Sequence, residues 1–262
     1  MTGIITVASG KGGTGKTWFA ASLAQALALG RDRRVLLVDA DWGLANADVQ
    51  LGTMAPADLP VDGSLEALVR CIRPVGSTGV HLLASASGSG RLADLDPHAR
   101  LRLAEKVAGI ARGFDWTVID LAAGADRALR DWWRLGRRRL MVVTPDPAAL
   151  TDAYAFLKLA QGDGDAKRAE VVVNRAPSRS GGDATAAKLE RAVGHFLRLP
   201  LHPRGVVLED PRVTAAIRAQ APFLARYPGA VTSQTLEHLA RTFVRAQKPR
   251  AQPSLRPSEP AM

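Results

Sequence analysis

The chain has 262 residues, 47% of them apolar, which is enough for one large α/β domain and too little for two comfortable ones. Its single cysteine, Cys71, excludes a disulfide framework or thiolate cluster within one chain, and its five histidines are too scattered to indicate a structural metal site. There is no apolar run of about 18 residues and no signal-peptide pattern, so we expect a cytoplasmic protein.

The formal net charge is +10 and the pI is near 10.6, largely because of arginine. Such an excess favours acidic partners, namely nucleic acid, an anionic membrane surface or a polyphosphate. Arginine runs are equally common in solvated connections between helices and strands, so composition alone leaves both interpretations open.

In chain order, apolar and β-branched runs alternate with helix-like segments. The predicted strands are residues 4–8, 35–38, 80–83, 117–119, 140–143 and 171–173. The predicted helices are residues 16–29, 65–70, 97–112, 129–135, 148–161, 183–196, 211–218 and 233–245. This pattern predicts a single doubly wound, mostly parallel sheet with helices on both faces. We place this α/β domain at residues 1–246 and interpret residues 247–262, which are rich in proline, as a disordered tail.

The first predicted strand leads directly into a glycine-rich loop that opens the first helix. The loop residues are Gly10, Lys11, Gly12, Gly13, Thr14, Gly15, Lys16 and Thr17. Glycines in this context let backbone N–H groups surround a polyphosphate, while the helix N-terminus adds partial positive charge. Lys16 can reach the terminal phosphates and the Thr17 hydroxyl can ligate Mg²⁺, so the sequence predicts a nucleoside triphosphate site.

A second lysine, Lys11, lies near the start of this loop. A cation at the rim of a phosphate site can reach a nucleotide that is held by a second copy of the chain. The alternative is an ordinary solvated lysine.

Three aspartates follow apolar strand residues. Asp39 and Asp41 lie at the end of the second predicted strand, and Asp120 follows the strand at 117–119. The carboxyl ends of parallel strands form the ligand-binding edge of such sheets, and a carboxylate there needs a cation or water to offset its desolvation. Beside a phosphate loop that cation is Mg²⁺, although each aspartate could instead start a turn or cap a helix.

These segments together resemble the deviant-Walker ATPases of the MinD and ParA superfamily, and within it the FlhG (FleN) branch. The resemblance covers about residues 3–245 and rests on the segments 10–17, 39–48, 120–124, 143–154, 173–175 and 209–217. FlhG-like proteins control the number and placement of bacterial flagella. The resemblance therefore implies an ATPase that dimerises with ATP, hydrolyses it slowly and acts on a flagellar assembly or regulatory protein.

The resemblance also implies roles for individual residues. Lys16 and Thr17 would bind phosphate and Mg²⁺, and Lys11 would contact nucleotide across the homodimer. Asp41 would orient the attacking water, and Asp39 and Asp120 would hold Mg²⁺ through its waters. Asn174 and Arg175 would face the adenine.

Two alternatives remain at this stage. Within the same fold, the chain could be a MinD-like division-site ATPase or a ParA-like ATPase that positions DNA or other cargo. From another class, it could be a nucleotide-binding regulatory scaffold with negligible turnover.

Three departures from the FlhG pattern affect the details. FlhG proteins usually carry an amino-terminal extension that stimulates the GTPase FlhF, whereas this sequence enters its first strand after about two residues, so regulation of FlhF is in doubt. Ala125 stands where the Walker B segment usually has isoleucine. Leu208 replaces a proline near the adenine, which makes base selectivity less secure than ATP binding.

The last predicted helix, residues 233–245, has one apolar face and one basic face. Such a helix could lie on anionic lipid, which would place the protein at the inner face of the cell membrane, but it would equally suit the domain core, and we favour the core. Nucleic acid is a less favoured partner than lipid. We expect Trp132 and Trp133 to be core residues and Trp42 to report on nucleotide or dimer state.

Overall fold

The computed structural model describes residues 3–30, 33–41, 45–56, 59–60, 63–84 and 96–246. Trp42 and the tail at 247–262 lie outside these ranges, so our expectations for them stay predictions.

The described chain forms one eight-stranded sheet. The strands are β1 (Gly3–Ser9), β2 (Val35–Ala40), β3 (Arg73–Pro74), β4 (Val80–Leu83), β5 (Trp116–Ala123), β6 (Arg138–Val143), β7 (Ala169–Ala176) and β8 (His202–Leu208). Their order across the sheet is β3-β4-β2-β5-β1-β6-β7-β8, and all neighbours are parallel except the short edge pair β3 and β4. The predicted doubly wound α/β fold is confirmed.

Helices cover both faces of this sheet. They are α1 (Lys16–Ala28), α2 (Ala47–Leu51), α3 (Leu65–Val69), α4 (Pro97–Ala111), α5 (Arg127–Trp133), α6 (Pro147–Gly162), α7 (Arg179–Ala192), α8 (Pro211–Arg218), α9 (Phe223–Arg226) and α10 (Val231–Arg245). Helices α3 to α7 pack with one face of the sheet, and α1, α2 and α8 to α10 pack with the other. Each face of the sheet has its own apolar core. Within β2, Leu36 packs into the core on the α3 to α7 face and Leu37 into the core on the opposite face, which explains why the strand sequences are apolar at consecutive positions.

The strands β3 and β8 were missed from the sequence, and every predicted strand except β4 is longer in the structure than predicted, β5 and β7 by the largest margin. The edge strand β8 begins with a histidine, a proline and an arginine and so lacks an apolar run, and β3 has two residues. Strand β5 continues to Ala123, so Asp120 lies inside the strand. The expectation that Asp120 follows the end of the strand is therefore wrong. Inside the strand, Asp120 is fully buried.

Helix α7 begins four residues earlier than predicted, despite two glycines in its first turn. Ser178 caps it, because its hydroxyl accepts a hydrogen bond from the backbone of Gly181. A Cβ on Gly182 would lie 2.2 Å from a methyl carbon of Val206 in β8, so this glycine permits close helix-to-sheet packing. The helix continues as a π-helical turn, Val193–Leu197, and ends at Arg198 with a φ of 54°.

The last helix, α10, packs on the sheet. Leu236 and Phe243 are buried on the same face as α1, which confirms the core interpretation and leaves that apolar face unavailable to lipid. Trp132 and Trp133 are also buried, as predicted. Within the described ranges, no helix is long and apolar enough to cross a membrane.

Candidate nucleotide-binding site

The glycine-rich loop joins the carboxyl end of β1 to α1, as the motif predicts. Gly13 and Gly15 have φ angles of 78° and 77°, a left-handed conformation that favours glycine. Gly10 lies against α6, where a Cβ would come within 2.3 Å of the Asp152 carbonyl carbon. The loop therefore needs glycine at these positions for its shape and for its contact with the rest of the domain.

Two residues near the end of β7, Asn174 and Arg175, hydrogen-bond to the backbone of the glycine-rich loop. The Asn174 amide donates a 2.8 Å hydrogen bond to the Thr14 carbonyl. A Cβ on Gly15 would lie only 2.5 Å from the same amide nitrogen, so the contact also requires glycine there. Arg175 donates 3.3 Å hydrogen bonds to the Gly13 carbonyl and to the Glu209 carboxylate. These contacts give Asn174 and Arg175 a place in the site through the loop backbone, while their contact with adenine stays a prediction.

Lys16 points toward the sheet. Its ammonium donates a 2.7 Å hydrogen bond to Asp120, and both side chains are almost completely buried. Burial raises the pKa of Asp120, and the charge and hydrogen bond of Lys16 oppose that rise. The loop lysine is therefore held at the base of the phosphate site by a carboxylate that needs a cation beside it.

Asp39 lies next to Asp120 on the neighbouring strand, in direct register. Its carboxylate accepts 3.0 Å hydrogen bonds from the backbone N–H groups of Asp41, Asn46 and Ala47. Burial, with a further contribution from the charge of Asp120, raises the pKa of Asp39 to about 7 despite these bonds. Asp39 thus anchors the connection between β2 and α2, and it does so beside a second buried acid, Asp120.

The residues around Asp120 fit a magnesium ion. Its second oxygen is buried and has no hydrogen-bond partner in the described part of the chain, and the Thr17 hydroxyl lies close enough to the same carboxyl group to lower its pKa. Carboxylate and hydroxyl oxygens are the hard ligands that Mg²⁺ prefers. Both oxygens of Asp39 already accept backbone N–H groups, so its fit is to an outer position, where it would act through water.

Asp41 directly follows β2, and its charge contributes to the raised pKa of Asp120. The fold therefore brings Lys16, Thr17, Asp39, Asp41 and Asp120 to one edge of the sheet, as the sequence predicted. These residues are up to about one hundred positions apart along the chain. They meet because β5 lies between β1 and β2 in the sheet.

Lys11 lies apart from this group, at the rim. It forms a 2.9 Å ion pair with Asp146, and both side chains are almost half exposed. This hydrogen bond raises the pKa of Lys11 and lowers that of Asp146. Asp146 also caps α6, since its other oxygen accepts a hydrogen bond from the Ala148 backbone.

Sequence reasoning did not identify Asp146, Pro177 or Glu209 as site residues. With Lys11 and Arg175 they border an open depression of about 470 Å³ beside the loop, whose remaining lining is Gly12, Gly13, Thr14, Thr144 and Pro145. The aspartate before Pro147 signals a helix cap, but nothing in the sequence shows that it would meet a lysine 135 positions away.

Known proteins are similar to this chain in sequence and in fold. Residues 5–227 match the family of CobQ/CobB/MinD/ParA nucleotide binding domains, so the chain belongs to that family. It is 35% identical to Antiactivator FleN of Pseudomonas aeruginosa, over 91% of this chain and 85% of that protein. It is 28% identical to the flagellum site-determining protein YlxH of Helicobacter pylori, over 93% of this chain and 82% of that protein.

The fold also matches a solved structure of the family. The cell division ATPase MinD of Pyrococcus furiosus superimposes with a TM-score of 0.76 at 25% identity, over 94% of this chain and 99% of that one. The similarity to FleN and YlxH confirms the resemblance to the FlhG (FleN) branch that the sequence motifs indicated.

Proposed function

We propose that this protein is an ATP-dependent dimerisation switch that hydrolyses ATP slowly and regulates the number and placement of flagella. The observation that carries the proposal is the buried pair of Lys16 and Asp120 beneath a glycine-rich loop, with one Asp120 oxygen that has no partner among the described residues. This arrangement supplies a cation for phosphate and an oxygen ligand for Mg²⁺ at the same point. The similarity to FleN and YlxH supports the flagellar role.

In this proposal the loop N–H groups and Lys16 hold the β- and γ-phosphates. Bound Mg²⁺ would neutralise phosphate charge, with Thr17 and Asp120 as the residues that would hold it. Asp41 orients a water for in-line attack on the γ-phosphate, so positioning and charge neutralisation supply most of the catalysis. Hydrolysis stays slow until a partner completes the site.

Dimerisation would require Lys11 to change partners. In the single chain its ammonium is bound to Asp146, whereas contact with a nucleotide across a dimer requires it to leave that carboxylate. The exchange replaces a solvent-exposed ion pair with a contact to a more highly charged phosphate group, which makes it favourable when ATP is present. Asp146 would then compete with ATP for this lysine.

Light scattering with ATP and with ADP tests the switch. We expect a dimer only with ATP, a persistent dimer for Asp41→Ala and a monomer for Lys11→Ala that still binds ATP. Asp183→Asn breaks another exposed ion pair, with Arg179, and serves as the control for surface charge. Equal masses for every variant under both nucleotides would contradict the dimer.

Two further measurements separate the proposal from its alternatives. Phosphate release that is the same for the wild-type protein and for Asp41→Ala, with and without a candidate flagellar partner, would identify a scaffold without turnover. Flagella counted by electron microscopy in a deletion strain, complemented with wild-type protein or Lys16→Ala, test the cellular role. Normal flagella together with misplaced septa would favour a MinD-like function.

A further inference from the structure

A second cavity lies at the opposite edge of the sheet from the phosphate loop. It has a volume of about 650 Å³ and opens beside the first residues of β1, β5, β6 and β8. Its lining includes five cationic side chains, Arg137, Arg138, Lys167, Arg168 and Arg204, but one carboxylate, Glu170. The cavity therefore carries an excess of four positive charges, and the nucleotide site does not use any of them.

Part of this cationic lining is fixed in place. Glu170 is buried and accepts hydrogen bonds of 2.9 and 3.2 Å from Arg138, and it also pairs with Arg204. The Arg138 guanidinium lies 4.5 Å from the centre of the Phe243 ring. One carboxylate thus holds two arginines in defined positions without neutralising both.

The other part is exposed. Lys167 and Arg168 precede β7, and neither forms an ion pair with any residue that the structure describes. The pKa of nearby Arg139 is affected by the same charges. Burial lowers this pKa, the negative charge of Asp165 opposes the shift, and the positive charge of Arg168 lowers the pKa further. Cations that repel one another in the free protein are relieved when an anion binds among them.

We propose that this cavity binds a small anion with two or more phosphate groups. Its volume lies within the range of small-molecule pockets, and guanidinium groups match phosphate geometry with paired N–H donors. The sequence that follows Ala246 at the rim is itself net basic, with Lys248, Arg250 and Arg256 against one acidic side chain, Glu259. This site is independent of the proposed function.

Calorimetry with inorganic tripolyphosphate tests the proposal. The full chain carries Lys16→Ala in every sample, so that the phosphate loop does not bind the probe, and Mg²⁺ is omitted. We expect Lys167→Ala with Arg168→Ala to weaken binding by about tenfold or more, since two charge-assisted contacts are lost. The control, Lys188→Ala with Arg191→Ala, removes two exposed charges from α7 and should leave affinity within about twofold.

Salt and competing ligands complete the test. Binding should weaken as salt rises, and ATP or GTP should match tripolyphosphate if phosphate alone is recognised and exceed it if a base is also held. Equal loss of affinity in the control pair, or no loss in the cavity pair, would overturn the proposal. Binding to phosphatidylglycerol vesicles without binding to tripolyphosphate would also overturn it. Thermal denaturation of each variant shows that it is folded, and Arg168→Glu provides a second test with stronger repulsion.

Discussion

Replacing Asn174 by alanine distinguishes support of the phosphate loop from recognition of the base. The side chain is 2% exposed, and its amide hydrogen bond to the Thr14 carbonyl is 2.8 Å long. Alanine would leave that carbonyl without its donor beneath the loop. An unsatisfied buried group of this kind costs about 1–3 kcal/mol.

That cost falls on the ordered loop, which is the form that binds phosphate. If all of it appears as lost affinity, nucleotide binding weakens by about fivefold to about 150-fold, because about 1.4 kcal/mol corresponds to tenfold. The loss should be the same for ATP, GTP and inorganic tripolyphosphate, since each of them uses the loop. Asn174→Asp should bind more weakly still, because a carboxylate would face both a carbonyl oxygen and phosphate.

Calorimetry with the three ligands measures these affinities, with Lys167→Ala and Arg168→Ala in every sample so that the cationic cavity does not contribute. Thr185→Ala is the matched control, because it also removes a side-chain hydrogen bond to a backbone carbonyl, that of Gly181, but lies in α7 away from the loop. A variant Asn174→Ala that binds tripolyphosphate normally but loses its preference between ATP and GTP would refute loop support. It would show instead that the residue acts on the base.

Three other perturbations follow from the structure. Lys16→Ala should abolish binding of Mg-ATP by calorimetry but leave the circular dichroism spectrum intact, because buried Asp120 can take up a proton when its cation is lost. Gly182→Ala should lower the free energy of unfolding in urea by about 1–3 kcal/mol, because a Cβ would overlap Val206. The control Gly194→Ala should not lower the free energy of unfolding by this amount, because a Cβ at Gly194 would have open space around it. Because the folded pKa of Asp39 is raised to about 7, the folded chain retains a proton that the unfolded chain releases near pH 4. Its contribution to the free energy of unfolding should therefore fall as pH rises from about 4 to about 7, and a wild-type slope equal to that of Asp39→Asn would contradict this.

The sequence was sufficient for the nucleotide site where its chemistry is local. The loop at 10–17 combines strand, glycines, lysine and helix start within one continuous segment, and the three aspartates follow apolar runs. The position of Asp120 was less exact, because a carboxylate inside a strand looks like the end of that strand. The burial of this residue depends on β1 and β2, which lie on either side of β5.

Contacts between distant segments could not be predicted. The pair of Lys11 and Asp146 joins a loop after β1 to a cap after β6, and these elements meet only because β1 and β6 are neighbours in the sheet. The cationic cavity depends on the same kind of convergence, since its charges come from β6 and β8 and from the connections before β6 and β7. The strand order that brings them together is set by packing of both sheet faces, and it leaves no mark in any one segment.

The buried acids also explain why the protein should be more stable with its nucleotide than without it. Asp39 and Asp120 lie side by side in the sheet with Lys16 as their buried cation, and burial raises the pKa of both acids, so ionising both is costly in the free chain. A bound magnesium nucleotide would add a divalent cation beside the Asp120 oxygen that has no partner among the described residues, and it would give Lys16 a phosphate partner. This relief of charge lowers the Kd of the ligand, and the resulting stabilisation is set by mass action, at about 2.7 kcal/mol at one hundred times the Kd. Chain stability and site occupancy are therefore coupled through the same two carboxylates.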